Sequence, residues 1–254
     1  MTAIDELRMR TRIALRAGCN RRPVIIVYSQ GKSGSSAVAA TLEQHGYRAV
    51  HVHTMVSHEI ERRKPDYRGT DVEQGAHLWW AETVIKKRLR KLTRPLRIIV
   101  TIREPVARDI SAYFQAMVRR QSPLPSNPQD LLNPETLTWF EDEFVTATGL
   151  DVYAAPFDSV RGWQRYRTEN CDVLIVQQER LMPDAFTEFL GKTIGPVKLQ
   201  NAAEQKSYYH TYDQFVQSVT LPESVVESIY ESRFVQHFYS ADQIDQFRMR
   251  WRER

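Results

Sequence analysis

The sequence predicts a three-layer α/β fold, with a central parallel sheet flanked by helices on both faces. Three observations predict it. The runs Val24–Tyr28, Arg97–Ile102 and Val173–Gln177 are short, β-branched and largely without polar alternation, as strands buried on both faces are. Helix-forming segments follow the first two, and strands that alternate with helices imply crossover connections. With 254 residues, 42% of them hydrophobic, the chain can bury a sizeable core as a single domain, 1–254.

The first strand is Val24–Tyr28, and Ala37–Glu43 beyond it is a good helix former. Arg48–His53 reads as a short second strand, followed by polar, turn-rich sequence to Gly69. A helix over about 74–92 carries the cationic run Lys86–Lys91, either a solvated face or an attractor for a polyanionic acceptor. The strand Arg97–Ile102 leads into a helix opened by Pro105, whose preset φ suits a first turn. Pro123, Pro125 and Pro128 then break the pattern. Residues 122–148 therefore read as a loop and a helical insert over Pro134–Thr148. Val173–Gln177 is the fourth strand, and short helices close the chain. Residues 1–22 form a basic helix or extension, either packed on the domain or lying on an anionic membrane surface.

The most informative stretch is the loop after the first strand, Ser29-Gln30-Gly31-Lys32-Ser33-Gly34-Ser35-Ser36. A strand, a glycine-bearing loop and a helix in that order gather backbone N–H groups at a helix N-terminus, which is an anion site; the bland alternative is a tight turn. Gly31-Lys32-Ser33 matches the end of the nucleotide P-loop pattern G-x-x-x-x-G-K-[ST], but Ile26 stands where its first glycine belongs. The strands ending in Arg103-Glu104-Pro105 and Gln177-Gln178-Glu179 bring no metal-binding aspartate. The reading is a P-loop-like phosphate cradle without the magnesium apparatus. A second signal breaks the tie: Arg103 at a strand end, Pro105, and Ser111 about two turns into the next helix. A guanidinium fork and a hydroxyl at that spacing suit one phosphate.

In these two motifs the chain resembles the sulfotransferases that use 3′-phosphoadenylyl sulfate (PAPS). More narrowly it is similar to the bacterial sulfotransferase-like proteins of capsular polysaccharide synthesis, through Gln30–Ser36, Gly149-Leu150-Asp151-Val152-Tyr153 and the segment Asn201–Tyr212. The resemblance implies that Gly31, Lys32, Ser33, Gly34, Ser35 and Ser36 bind the 5′-phosphosulfate, with Lys32 catalytic at the leaving phosphate. It implies that Arg103 and Ser111 hold the 3′-phosphate and that Lys206 covers the nucleotide. It implies a nucleotide donor, a carbohydrate acceptor and no metal.

The general base is read from the second strand. His51 and His53 share one face of it, opposite Val50 and Val52, and His53 lies nearer the end where substrate belongs. Either histidine could instead be a hydrogen-bonded structural residue; His77 and Glu82 are reserves. His51, His53 and His58 lack the cysteine or carboxylate spacing of a metal site. Trp79-Trp80 is core and rim or a sugar platform. A net charge of +4 suits an anionic donor and is too small and dispersed to argue for nucleic acid. Two cysteines and the lack of a long apolar run point to a cytoplasmic protein. Two other classes compete: a nucleotide-dependent kinase or phosphotransferase, and a non-catalytic nucleotide- or polyanion-binding protein on the same fold. No motif encodes the acceptor's identity or the oligomeric state.

Overall fold

A computed structural model of the chain describes residues 24–56, 58–59, 95–120, 123, 125, 127–197 and 208–252. The N-terminal 1–22 segment, the expected 74–92 helix with His77, Trp79, Trp80, Glu82 and Lys86–Lys91, and Lys206 lie outside the described residues.

Five segments form the strands β1 (Val24–Tyr28), β2 (Arg48–Val52), β3 (Leu96–Ile102), β4 (Trp163–Arg167) and β5 (Cys171–Gln177) of one sheet, in the order β2-β1-β3-β5-β4. Every residue of β1 is buried, as a strand covered on both faces requires. The first four strands in that order run parallel, and β4 pairs antiparallel with β5. The expected all-parallel sheet is therefore corrected to a mixed one. Trp-Gln-Arg-Tyr-Arg is too polar to read as a buried strand, and it needs to bury little at the sheet's edge. Thr168-Glu169-Asn170 leave room only for a hairpin, closed by Thr168 N–H donating to the Cys171 carbonyl, so the chain must return antiparallel.

The helices are α1 (Ser35–Gln44), α2 (Pro105–Arg120), α3 (Glu135–Trp139), α4 (Val145–Thr148), α5 (Pro183–Leu190), α6 (Tyr209–Ser218), α7 (Glu223–Tyr230), α8 (Arg233–Phe238) and α9 (Ala241–Trp251). A π turn, Phe140–Phe144, joins α3 to α4. Strand alternation sorts the core into two layers. Ile25, Val27, Ile99, Leu174 and Val176 pack against Val38 and Leu42 of α1 and Phe186 and Phe189 of α5. Ile26, Tyr28, Ile98, Val100 and Ile175 face the other way, onto Val106, Ile110 and Phe114 of α2, the aromatic residues 139–144, and α7 to α9. The helices expected over Pro134–Thr148 are present, and their aromatics enter this core: Phe144 stacks on Tyr28 and Trp139 meets it edge-on.

The strand order reverses at β1, which lies between β2 and β3, and the carboxyl ends of strands at such a reversal are where open α/β sheets bind ligands. Ladder pairing of β1 with β3 stops at Val27 and Ile99. Beyond it, Thr101 N–H donates instead to Ser29 Oγ at 2.7 Å, and the strands part there.

Candidate functional site

The β1–α1 loop is built around two left-handed residues. Gly34 precedes α1 with φ 84°, which glycine accepts without cost, and Lys32 has φ 74°, which an L side chain adopts only under constraint. The constraint comes from two arginines beyond β3. Arg103 Nη1 donates to the Lys32 carbonyl at 3.1 Å, and Arg108 Nε donates to the Gly31 carbonyl at 3.0 Å. A trans peptide carries its N–H opposite its carbonyl, so holding these carbonyls turns the Lys32 and Ser33 N–H groups away from the arginines. The N-terminus of α1 has no side-chain cap and no acid in its first turn. Ala37 and Val38 N–H groups close back onto the Gly34 carbonyl, while those of Ser35 and Ser36 have no backbone acceptor among the described residues. This arrangement, a left-handed loop running into an uncapped helix, attracts an anion through oriented N–H groups and the helix dipole.

The loop's serines divide by role. Ser33, 1% exposed, points its hydroxyl inward, to the Gln30 carbonyl and to Thr101 Oγ1, both at 2.8 Å. Ser29, Ser33 and Thr101 thus form a buried hydroxyl cluster that pins the loop to β3. Ser35 is also buried, with its hydroxyl 2.7 Å from His51 Nε2. Ser36 is exposed.

His53 follows β2 directly and is half-buried, one residue beyond the strand's observed end. A side chain at Gly31 would begin 3.9 Å from its Cε1, so the ring lies over the loop. Its Nδ1 is 2.9 Å from the Ser29 carbonyl. A carbonyl only accepts, so Nδ1 carries the proton and the neutral ring keeps its lone pair on Nε2. The His51 ring meets it edge-on at 4.4 Å. Both histidines lie opposite the buried Val50 and Val52, as the alternation predicts.

Arg103 is half-buried and forms no ion pair among the described residues. Ser111 is also half-buried, three residues along α2 from Arg108 and hence on a neighbouring strip of the helix. The structure thus brings Gly31 to Ser36, Arg103 and His53 together, whereas no hydrogen bond among the described residues joins Ser111 to them. Two residues after Lys206, the Tyr208 ring stacks on Phe114 at 6.4 Å, one turn beyond Ser111.

Four supports went unread in the sequence. Arg108 and Thr101 carry no spacing signal. Glu143, on the π turn, is buried at 6% exposure and accepts from Tyr28 Oη at 2.5 Å, Thr54 Oγ1 at 2.6 Å and Met55 N–H at 2.9 Å. It ties the end of β1 to the chain leaving β2. Glu104 is the fourth: its carboxyl accepts from Val106 and Ala107 N–H, capping α2, and from Tyr230 Oη at 2.6 Å. Burial pushes its pKa above the ordinary value of 4.5, against the pull of those hydrogen bonds. Among the described residues no group of three or more His, Cys, Asp and Glu is arranged to hold a metal ion, and no helix is long and apolar enough to cross a membrane.

The sequence model of one protein family, NKWYS, described as "Putative capsular polysaccharide synthesis protein", matches residues 129–240. It covers less than half of the chain. The matched part runs from before α3, through β4 and β5, to the residue preceding α9. It contains Thr136, Glu143 and Lys206, and stops short of the anion loop, Arg103 and Ser111. No curated protein matches the chain.

Proposed function

We propose that the chain is a sulfotransferase on a P-loop-like fold, using PAPS as donor and a hydroxyl or amine of a carbohydrate as acceptor, in the synthesis of a capsular or surface polysaccharide. The observation that carries the reading is the left-handed loop before an uncapped helix, with Arg103 from the neighbouring strand bonded to the Lys32 carbonyl. One loop supplies N–H groups for one phosphate, and the adjoining cation serves a second. That pairing suits a nucleotide with phosphates on both its 5′ and 3′ positions. The family description supplies the polysaccharide part of the reading.

PAPS supplies a sulfuryl group on a phosphate leaving group. The chain's part is positioning and charge neutralisation. N–H groups of Ser33, Gly34, Ser35 and Ser36 orient the 5′-phosphate, and the Lys32 ammonium offsets negative charge growing on it. The remaining donors of Arg103 and the Ser111 hydroxyl hold the 3′-phosphate, the feature that selects PAPS over ATP. His53 takes the acceptor's proton at Nε2, its ring fixed by the Ser29 carbonyl and its positive charge then shared toward that carbonyl. Lys206 closes over the nucleotide.

The test is calorimetric titration with 3′-phosphoadenosine 5′-phosphate against ATP with magnesium, in the parent protein and in Lys32→Ala and Arg103→Ala. Expected is micromolar binding of the bisphosphate, about −8 kcal/mol, preferred over ATP and lost in Arg103→Ala. Tighter, magnesium-dependent ATP binding would replace this reading with a phosphotransferase. Bisphosphate binding without sulfuryl transfer to any glycan would leave a nucleotide-binding protein.

A further inference from the structure

We infer that Arg108 is a positioning residue of the anion loop, holding the Gly31 carbonyl while the α3 side of the molecule holds Arg108. This rests on reading the loop as the donor-phosphate site. Arg108 lies 77 residues from Gly31 and is 15% exposed. Its three contacts point in two directions. Nε reaches the Gly31 carbonyl at 3.0 Å, while Nη1 donates to Asp109 Oδ1 at 2.7 Å and to Thr136 Oγ1 at 3.0 Å. Thr136 Oγ1 donates in turn to Asp109 Oδ1 at 2.7 Å, and the other Asp109 oxygen accepts Asn133 N–H at 2.8 Å. Nε and Nη1 of Arg108, Thr136 Oγ1 and both Asp109 oxygens therefore have partners, which fixes the guanidinium plane. A second strut runs parallel to it: Gln30 Nε2 donates to the Thr136 carbonyl at 2.9 Å.

The bridge acts on backbone direction. With the Gly31 carbonyl held by Arg108 and the Lys32 carbonyl by Arg103, two consecutive peptides are locked and their N–H groups face the other way. Engaging those carbonyls helps to hold the left-handed φ of Lys32, a region an L side chain enters only at a cost. Lysine at 108 cannot substitute. A single ammonium reaches the Gly31 carbonyl or the Asp109–Thr136 pair, whereas the guanidinium spans both.

The experiment uses the full chain with Arg108→Ala, Arg108→Lys and Thr136→Val. Affinity for 3′-phosphoadenosine 5′-phosphate is measured by calorimetry, and amide hydrogen exchange at Ala37 and Val38 without ligand. Those two amides bond to the Gly34 carbonyl and report the loop's conformation directly. Arg108→Ala should weaken binding about tenfold to 100-fold and speed exchange at both amides, while β5 amides stay protected. Arg108→Lys should recover little, and Thr136→Val should give a smaller change in the same direction. A lower melting temperature with unchanged affinity and unchanged exchange would overturn the inference and leave Arg108 as a structural ion pair. If the parent protein binds no bisphosphate, the PAPS reading fails and exchange alone still decides the positioning role. If Arg108→Ala does not fold, the lysine and Thr136 variants carry the decision.

Discussion

Two strand-to-helix junctions lie next to each other at the same edge of the sheet, and they treat their helix N-termini in opposite ways. At the β1–α1 junction the helix starts from a left-handed glycine, with no cap and no acid in the first turn. At the β3–α2 junction Glu104 turns its own carboxyl onto the first N–H groups of α2, so the orphan donors are already satisfied internally. The first junction has N–H groups to offer an external anion. The second has none to spare, and contributes instead the cations Arg103 and Arg108 on either side of its cap. On the proposed function two phosphates are served by both kinds: one helix left open, and one closed, with its arginines turned onto the neighbouring loop.

The largest expected break in this contrast is Lys32→Gly. It keeps the left-handed backbone and removes the ammonium, so sulfuryl transfer should fall about 100-fold to 1,000-fold in a radiolabel-transfer assay. Its thermal stability should rise by about 0.5 to 1 kcal/mol, because glycine relieves the φ 74° strain at a partly offsetting entropic cost. Loss of stability instead would mean that the Lys32 side chain holds the loop together.

Glu104→Ala attacks the closed junction. It uncaps α2 and strands the buried Tyr230 hydroxyl, so denaturant unfolding should show a loss of about 2 to 4 kcal/mol. Gly34→Ala strains the open one. Its Cβ would start 3.3 Å from Gln178 Cγ at φ 84°, costing about 1 to 2 kcal/mol and weakening bisphosphate binding. Equal losses from these two variants would erase the distinction between the junctions.

The smallest effect is a pH slope. Burial raises the folded pKa of Glu104 above 4.5, so the native state holds this proton more tightly than the unfolded chain does. Stability conferred by the group is complete below that value and drains away as pH climbs from 4.5 toward the folded pKa. Melting curves of Glu104→Gln and the parent should differ in slope across that window, with the variant flatter. Parallel slopes would show Glu104 titrating as an ordinary carboxylate.

The sequence was most readable where a strand is buried on both sides. Val24–Tyr28 matches β1 to the residue, since an unbroken β-branched run leaves little else to form. That the Gly31–Ser36 loop meets Arg103 was legible for a related reason: both follow directly on buried neighbouring strands, whose carboxyl ends the sheet brings together. The edge strand β4 was invisible because its stability comes from pairing with β5, a property of its partner. Arg108, Thr101 and Glu143 were equally silent. Each acts on a backbone atom or hydroxyl 68 to 115 residues away in the chain, and no local pattern records such contacts.

The carbonyl clamps also set an order of events. The residues of the anion loop leave the ribosome about 70 residues ahead of Arg103 and Arg108, the side chains that hold its shape. Closing contacts at such separation is slow compared with forming α1 or a turn. The loop therefore gains its binding conformation only when β3 docks beside β1, so any folding intermediate lacking that pairing has a lysine but no cradle. On the proposed function, nucleotide present during synthesis would select for the docked state, and the ligand would act on the last stage of folding rather than the first.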